Sequence, residues 1–368
     1  MSSFPIEPVD RFVGQGSAIR KPEEIACFSY DEEHKFRLDD SSLKYYYPPK
    51  LGANLCAGFN EFKKLDTTAD DGLNSLLKTI LEKEKETGEL LEVDFITWRG
   101  MMTKIMAAPY DRFNDFDMNA TLFQGTIYIE EDHATKWALQ QKQSGQQPRR
   151  GQPSQDMMSF WGYKFETISL IPDVWDKVSR ETIENREHEI VSNHAQYCSV
   201  VRTGLGSSSL ILGGEVDAVW DRKLANRTTD INWVELKTAE EPNSSFSAQK
   251  FERKLLKFWV QSFLLGVPRI IVGFRSPQGI LQRLDEYKTN SIPGKVKREG
   301  QYSWDGNVCI NFASAFLEFL KATITGDGVW RIHCERGHPI TVYKISEAGH
   351  GSILSEEFLQ WRQQTKQE

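Results

Sequence analysis

Four polar side chains interrupt what would otherwise be two apolar strands. In the stretch LILGGEVDAVWDRKLANRTTDINWVELKT, Leu210 to Thr238, the carboxylates Glu215, Asp217 and Glu235 and the amine of Lys237 break runs of Leu, Ile, Val and Trp. Residues two apart in a strand point the same way. Glu215 therefore shares a face with Asp217, and Glu235 with Lys237, and pairing of the two segments as a hairpin would bring all four together. Crowded carboxylates repel by roughly 1 to 4 kcal/mol per pair at 4 Å, so something cationic must compensate. Oxygen ligands alone select a hard ion, magnesium or manganese rather than zinc. One or two such ions lower the pKa of an attacking water and neutralise a leaving oxygen. A lysine beside them can orient that water or stabilise the extra charge of a phosphoryl transition state.

The order Asp217, then Glu235-x-Lys237, is the D...ExK arrangement of metal-dependent phosphodiesterases. The competing reading is a set of salt bridges on an exposed sheet face, since ExK alone occurs in many strands. The flanking LIL, VW and WVEL favour a buried cluster, where unpaired charge is costly. A third strand is expected at FWGYKFETISL, with Trp161, Tyr163 and Phe165 on one face and Glu166 on the other as a further ligand. Lys254 and Gln261 lie seven apart on the helix that follows the hairpin, with Lys257 nearby, on a face that would cover the metal site. Gln261 is set in the aromatic run FWVQSF; Lys257 reads equally as helix surface. Arg99, closing FITWRG, is shaped to grip phosphate by two hydrogen bonds, although a structural ion pair would look the same.

The elements that must position these groups form a mixed α/β pattern. From about 157 to 275 the chain reads as strand FWGYKFETISL, helix RETIENREHEIVSN, strand QYCSVVRTGL, the hairpin, helix SFSAQKFERKLLKFWVQSFLLG and strand RIIVGFR. The long helix has a strong stop in Gly266 and Pro268. The tail adds helices at VCINFASAFLEFLKATI and EEFLQWRQQ and a strand near HPITVYKI. Residues 1–20 mix Pro, Gly and charge and read as an arm laid on one catalytic domain, 21–368. The segment 140–156, rich in Gln, Ser, Gly and Pro, is expected as a mobile surface loop, its Arg149 and Arg150 solvated.

Composition narrows the function classes. The chain has 368 residues, 39% hydrophobic and 11% aromatic, enough for a substantial core. A net charge of -7 argues against a general nucleic-acid binder, so any phosphate-rich ligand needs a local basic pocket. Five cysteines without a CxxC pair suggest neither a zinc knuckle nor a disulfide framework and fit a reducing compartment. The start lacks the layout of a signal peptide and no run of about 18 apolar residues would span a bilayer, so an intracellular protein without membrane attachment is expected. GLGSS at 204–208 precedes a strand rather than a helix and reads as a hairpin turn; His188 and His194, six apart, cannot share a helical face; there is no GxSxG.

Taken together, KYYYPP, WRG, GYKFE, VVRTGLG leading to LILGGEVD, VELK, and KFERKLLKFWVQSFLLGVPRIIVGF resemble, in that order, the DXO family of RNA 5′-end decapping enzymes. The resemblance covers roughly residues 20 to 365, and VVRTGLG, KFERKLLK and GVPRII look most like the fungal nuclear RAI branch. It implies two mixed β-sheets flanked by helices, with a D...ExK nuclease core and the active site in a deep pocket. Carried over by position, Glu166, Glu215, Asp217, Glu235 and the carbonyl of Leu236 would hold magnesium or manganese. Lys237 and Gln261 would hold the reacting phosphate and water, and Arg99 would contact RNA phosphate. The implied substrates are RNAs with a 5′-triphosphate, an incompletely methylated cap or an NAD cap, converted to 5′-monophosphate ends. The implied partner is the RAT-type nuclear 5′-3′ exoribonuclease, and the implied location the nucleus. Three other readings stay open: a chiefly non-catalytic activating subunit of that exoribonuclease, an enzyme with its own 5′-3′ exonuclease activity, and a DNA endonuclease, which the acidic composition disfavours.

Overall fold

The structure, a computed structural model, describes residues 1–111, 115–144, 153–223 and 231–365. Its described residues form two mixed sheets and nine α-helices, numbered in chain order. Across the larger sheet run β1 (Ser2–Phe4), β16 (Ile340–Ser346), β15 (Val329–Cys334), β6 (Phe116–Phe123), β7 (Thr126–Glu131), β5 (Phe95–Trp98), β10 (Ser208–Glu215), β9 (Gln196–Leu205), β2 (Ile19–Tyr30) and β3 (Phe36–Arg37). Across the smaller run β14 (Leu281–Lys288), β13 (Arg269–Arg275), β12 (Trp233–Glu240), β11 (Ala218–Val219), β4 (Tyr45–Tyr46) and β8 (Leu170–Ile171). The helices are α1 (Asn74–Thr87), α2 (Arg99–Ala107), α3 (His133–Ser144), α4 (Gln155–Ser169), α5 (Arg180–Asn185), α6 (Ser245–Leu265), α7 (Ile292–Glu299), α8 (Gly306–Thr323) and α9 (Glu356–Thr365).

Three apolar cores hold these layers. The largest joins β10 of one sheet and β13 of the other through the buried faces of α2, α6 and α8, with Met102, Val260 and Phe312 at its centre. A second seats α1 and α9 against Ile96 and Ile211. The third packs Phe160, Trp161, Phe165 and Ile168 of α4 on Ala218, Val234, Leu236 and Ile271 of the smaller sheet. The amino-terminal arm lies on the body, and β1 extends the larger sheet by pairing antiparallel with β16.

Several expectations are corrected. FWGYKFETISL is not a strand: it forms most of α4. The side chain of Ser154 accepts from Met157 N–H at the helix start, and the apolar residues at 160, 161, 165 and 168 recur at helical spacing against the smaller sheet. The alternation of Trp161, Tyr163 and Phe165 is a weaker signal than that stripe. The helix expected at RETIENREHEIVSN shrinks to the six residues of α5 and a 3-10 turn over Arg186–His188, since the segment offers no sustained apolar face to bury. The loop expected at 140–156 is narrower, because α3 runs to Ser144 and α4 begins at Gln155; residues 145–152, with Arg149 and Arg150, lie outside the described residues. The hairpin is the most consequential correction. Its first arm splits: β10 stays in the larger sheet, paired with β9 and β5, and only β11 pairs with β12.

Candidate active site

That split builds the site. Glu215 is the last residue of β10, opposite Cys198 of β9, and the chain then crosses from one sheet to the other through Val216 and Asp217. Ala218 faces Val234 antiparallel, so continuing the register sets Asp217 opposite Glu235. Asp217 Oδ2 accepts the Leu236 N–H at 2.6 Å, which pins the crossover to β12. The carboxylates therefore come together at a junction between sheets rather than on one hairpin face.

Glycines set the approach of the neighbours. A Cβ at Gly213 would stand 2.8 Å from the Trp98 ring, and one at Gly214 would stand 3.0 Å from the Cβ of Arg99. Only glycine at both positions lets the end of β5, parallel to β10, deliver Arg99 beside Glu215. At Gly273 of β13 a Cβ would lie 2.5 Å from the Phe165 ring, so the bare backbone there seats α4 closely enough to bring in Glu166.

Charge is concentrated and incompletely paired. Lys237 Nζ lies 2.5 Å from Glu235 Oε1, and Arg99 Nη1 lies 3.9 Å from the same oxygen. Glu235 Oε2 and Arg99 Nη1 are buried without a hydrogen-bond partner. Burial, then Asp217 and Glu215, push the Glu166 carboxyl well above its usual range. Burial and Glu235 raise Asp217 to about 8. Burial raises Glu215 too, against the pull of Arg99. Glu235 goes the other way: burial opposes its ionisation, but Lys237 and Arg99 outweigh it. Lys237, disfavoured by burial, is held protonated by Glu235 and Asp217. All four acids thus feel one another, as a cluster built for a cation would.

The cluster opens to water through a cavity of about 250 Å³ whose wall includes Tyr163, Glu166, Glu215, Asp217 and Lys44. Glu215 is accessible at its floor although protein surrounds it. A strand would put Tyr163 on the face opposite Glu166, but the helix sets it beside that acid. Its phenol feels Glu166 and Glu215, and the spacing 163, 166, 167 reveals this once the segment is read as helix. Lys44, in the KYYYPP stretch, is a second pocket residue that the strand and helix patterns do not single out.

Gln261 is half-buried on α6, one turn before Leu265, whose side chain meets Gly214 close to Arg99, so its face is turned toward the site. Lys257 instead pairs with Asp111 at 2.7 Å, and Lys254 lies near Arg275 at the far end of the smaller sheet.

Among the described residues, no three acidic, histidine or cysteine side chains stand in a ready coordination cluster. Lys237 and the Leu236 N–H occupy the oxygens that would turn to an ion. The donor set nevertheless fits a hard divalent cation: four carboxylates, a partnerless buried Oε2 and mutual repulsion that a cation would relieve.

Comparison with known proteins gives a concordant pattern. The profile of the RAI1 like PD-(D/E)XK nucleases matches residues 20–359. The chain is 56% identical over 364 residues to a decapping nuclease RAI1 of Emericella nidulans, covering 99% of each. It superposes on Candida albicans Rai1 in complex with pU5 and Mn2+ with a TM-score of 0.90, at 31% identity and 99% coverage of both chains. It superposes on Scheffersomyces stipitis Rai1, in complex with (3′-NADP)+ and a calcium ion, with a TM-score of 0.89 at 29% identity, covering 99% of this chain and 100% of that one.

Proposed function

The chain belongs to the RAI1-like PD-(D/E)XK nuclease family, and from that premise we propose that this hydrolase removes caps and phosphates from RNA 5′ ends, leaving a 5′-monophosphate. Its substrates on this reading are RNAs with a 5′-triphosphate, releasing pyrophosphate, incompletely methylated guanosine caps and NAD caps. The observation that carries it is the cluster in which Glu166, Glu215 and Asp217 line a pocket and Glu235 and Lys237 lie buried against them. The RNA oligomer and manganese bound by the Candida protein, and the dinucleotide and calcium bound by the Scheffersomyces protein, support it.

The four carboxylates and the Leu236 carbonyl would hold one or two magnesium or manganese ions, which supply a water of lowered pKa and neutralise charge on the reacting phosphate. The remaining roles follow from this chain's own groups. Lys237 stays protonated, so its ammonium can turn from Glu235 to a phosphate oxygen while that carboxylate serves the ion. Arg99, with a buried and unpartnered Nη1, holds a donor in reserve for RNA phosphate. Gln261, on the α6 face turned to the site, can donate to and accept from the attacking water or the phosphate. Handing the product to a RAT-type nuclear exoribonuclease, and residence in the nucleus, belong to the same proposal.

The test is product analysis of end-labelled triphosphate, guanosine-capped and NAD-capped RNAs with magnesium or manganese, and with a chelator. The expected product is full-length 5′-monophosphate RNA, lost in chelator and in a Glu215→Ala, Asp217→Ala protein that still binds the exoribonuclease. Shortened RNA would transfer support to an intrinsic exonuclease, and no product to an activating subunit.

A further inference from the structure

One face of α6 carries a charge pattern the site chemistry does not use. Phe246, Lys250, Arg253, Lys254, Lys257 and Gln261 follow one another along the helix in steps that keep them on one face. From Phe246 to Gln261 the face runs about 22 Å. Phe246 is 77% exposed, unusual for a phenylalanine with no ring partner among the described residues. The four cations after it are exposed, and Gln261 is half-buried where the helix enters the site. In a chain of net charge -7 such a stripe stands out.

The stripe is short of counter-charge. Lys257 is matched by Asp111, but among the described residues Lys250, Arg253 and Lys254 form no ion pair. Lys254, with its residue surface exposed but its ammonium set close to protein, has its pKa lowered first by burial, with Lys250 and Arg275 adding to this and Glu240 opposing. Arg275 is itself only 7% exposed, lies over the Trp161 ring, and its Nε has no hydrogen-bond partner. An array of unpaired cations with a solvent-facing aromatic ring at one end and the active site at the other suits a flexible polyanion that can stack a base.

We propose that this face of α6 is the track for the body of the RNA, a single strand several nucleotides long whose backbone phosphates meet Lys250, Arg253 and Lys254 and whose outer base stacks on Phe246. The assignment rests on the hydrolysis of RNA 5′ ends proposed above. It explains how an acidic protein retains RNA without a basic surface overall: positive charge is needed only along the helix face that leads away from Gln261.

The experiment compares wild type, the triple variant Lys250→Ala/Arg253→Ala/Lys254→Ala, and, as a control on the same face, Lys257→Ala, whose charge Asp111 already pairs. Binding of a fluorescent 12-nucleotide 5′-monophosphate RNA is followed against salt in chelator, and hydrolysis of 5′-triphosphate ends is measured on a dinucleotide and on the 12-mer. Three lost phosphate contacts lower the slope of log K against log salt by about 2. KM for the 12-mer rises at least tenfold, while KM for the dinucleotide and kcat for both hold. Lys257→Ala, removing a charge that Asp111 already matches, changes the slope by less than one third as much. Phe246→Ala weakens 12-mer binding without changing the slope. Equal salt slopes for triple variant and wild type, or an equal KM increase on both substrates, would overturn the track. If the triple variant binds RNA normally but no longer co-purifies with the exoribonuclease, the stripe is a protein-docking surface and the proposal is wrong. Wild type that binds RNA with the expected slope but hydrolyses no 5′ end overturns the proposed function instead and leaves the track standing.

Discussion

Replacing Asp217 by asparagine should stabilise the protein without metal and destabilise it relative to wild type with metal. In the folded chain Asp217 titrates near 8 against an ordinary 3.8, because it is buried and faces Glu235. The folded state therefore keeps a proton that the unfolded chain releases above its lower pKa. Stability from this group is complete below the unfolded value, falls as pH rises, and is gone above the folded value. At pH 7 the difference spans about three units, a ceiling of roughly 4 kcal/mol. The neighbouring acids share that proton, so removing one carboxylate recovers only part, about 2 kcal/mol. The amide oxygen of the introduced side chain would still accept the Leu236 N–H, so little else is lost. In chelator at pH 7 to 8, Asp217→Asn should therefore melt roughly 3 °C above wild type. Manganese at about 100 times its Kd should raise wild-type stability by about 2.7 kcal/mol and the variant's hardly at all, reversing their order. Calorimetry in chelator and in manganese across pH 5 to 9 reads both effects. A variant less stable than wild type in chelator throughout that range, or an equal manganese shift in both proteins, would refute the claim that these carboxylates are crowded to hold an ion.

Away from the site, Glu130 on β7 is 3% exposed and its carboxyl is raised to about 7 by burial, then by Asp70 and Asp132. The same sign holds, so this group's contribution to stability falls between pH 4.5 and 7; Glu130→Gln should flatten that part of a urea-denaturation profile and gain at most roughly 3 kcal/mol at pH 7. Arg362 of α9 pairs with the buried Glu84 of α1, which also accepts from Trp361 Nε1 at 2.9 Å and Leu91 N–H at 2.8 Å. Arg362→Ala leaves that carboxylate uncompensated and should cost about 3 to 5 kcal/mol in urea denaturation, with kcat unchanged in the fraction that stays folded. Gly273→Ala would press a methyl into Phe165. A loss of about 1 to 3 kcal/mol is expected, with a larger proportional fall in kcat because α4, and Glu166 with it, must move; unchanged kcat would show that Glu166 does not depend on this contact.

How much of this is legible in the chain depends on which interactions decide each feature. The closeness of Asp217 and Glu235, the α6 stop at Gly266 and the β9–β10 turn are all readable, since each follows from residue type and near-neighbour spacing. The segment around Glu166 misleads because two periodicities overlap there, and only packing of 160, 161, 165 and 168 against the smaller sheet selects the helix. The hairpin is half right for a related reason. Strand pairing depends on which segments meet across the chain, and β10 is flanked by β5 and β9, which leaves only β11 to pair with β12. What the sequence determined by itself is that Glu215, Asp217 and Glu235 needed either nearby positive charge, as Lys237 supplies, or a retained proton, because an isolated ionised carboxylate in an apolar strand is costly. Tertiary structure alone decided where: at a crossover between two sheets, with Arg99 and Glu166 delivered by helices that bare glycine backbones at 213, 214 and 273 allow to approach. Close approach depends on what the opposing surface lacks, and that surface is set by segments distant in the chain.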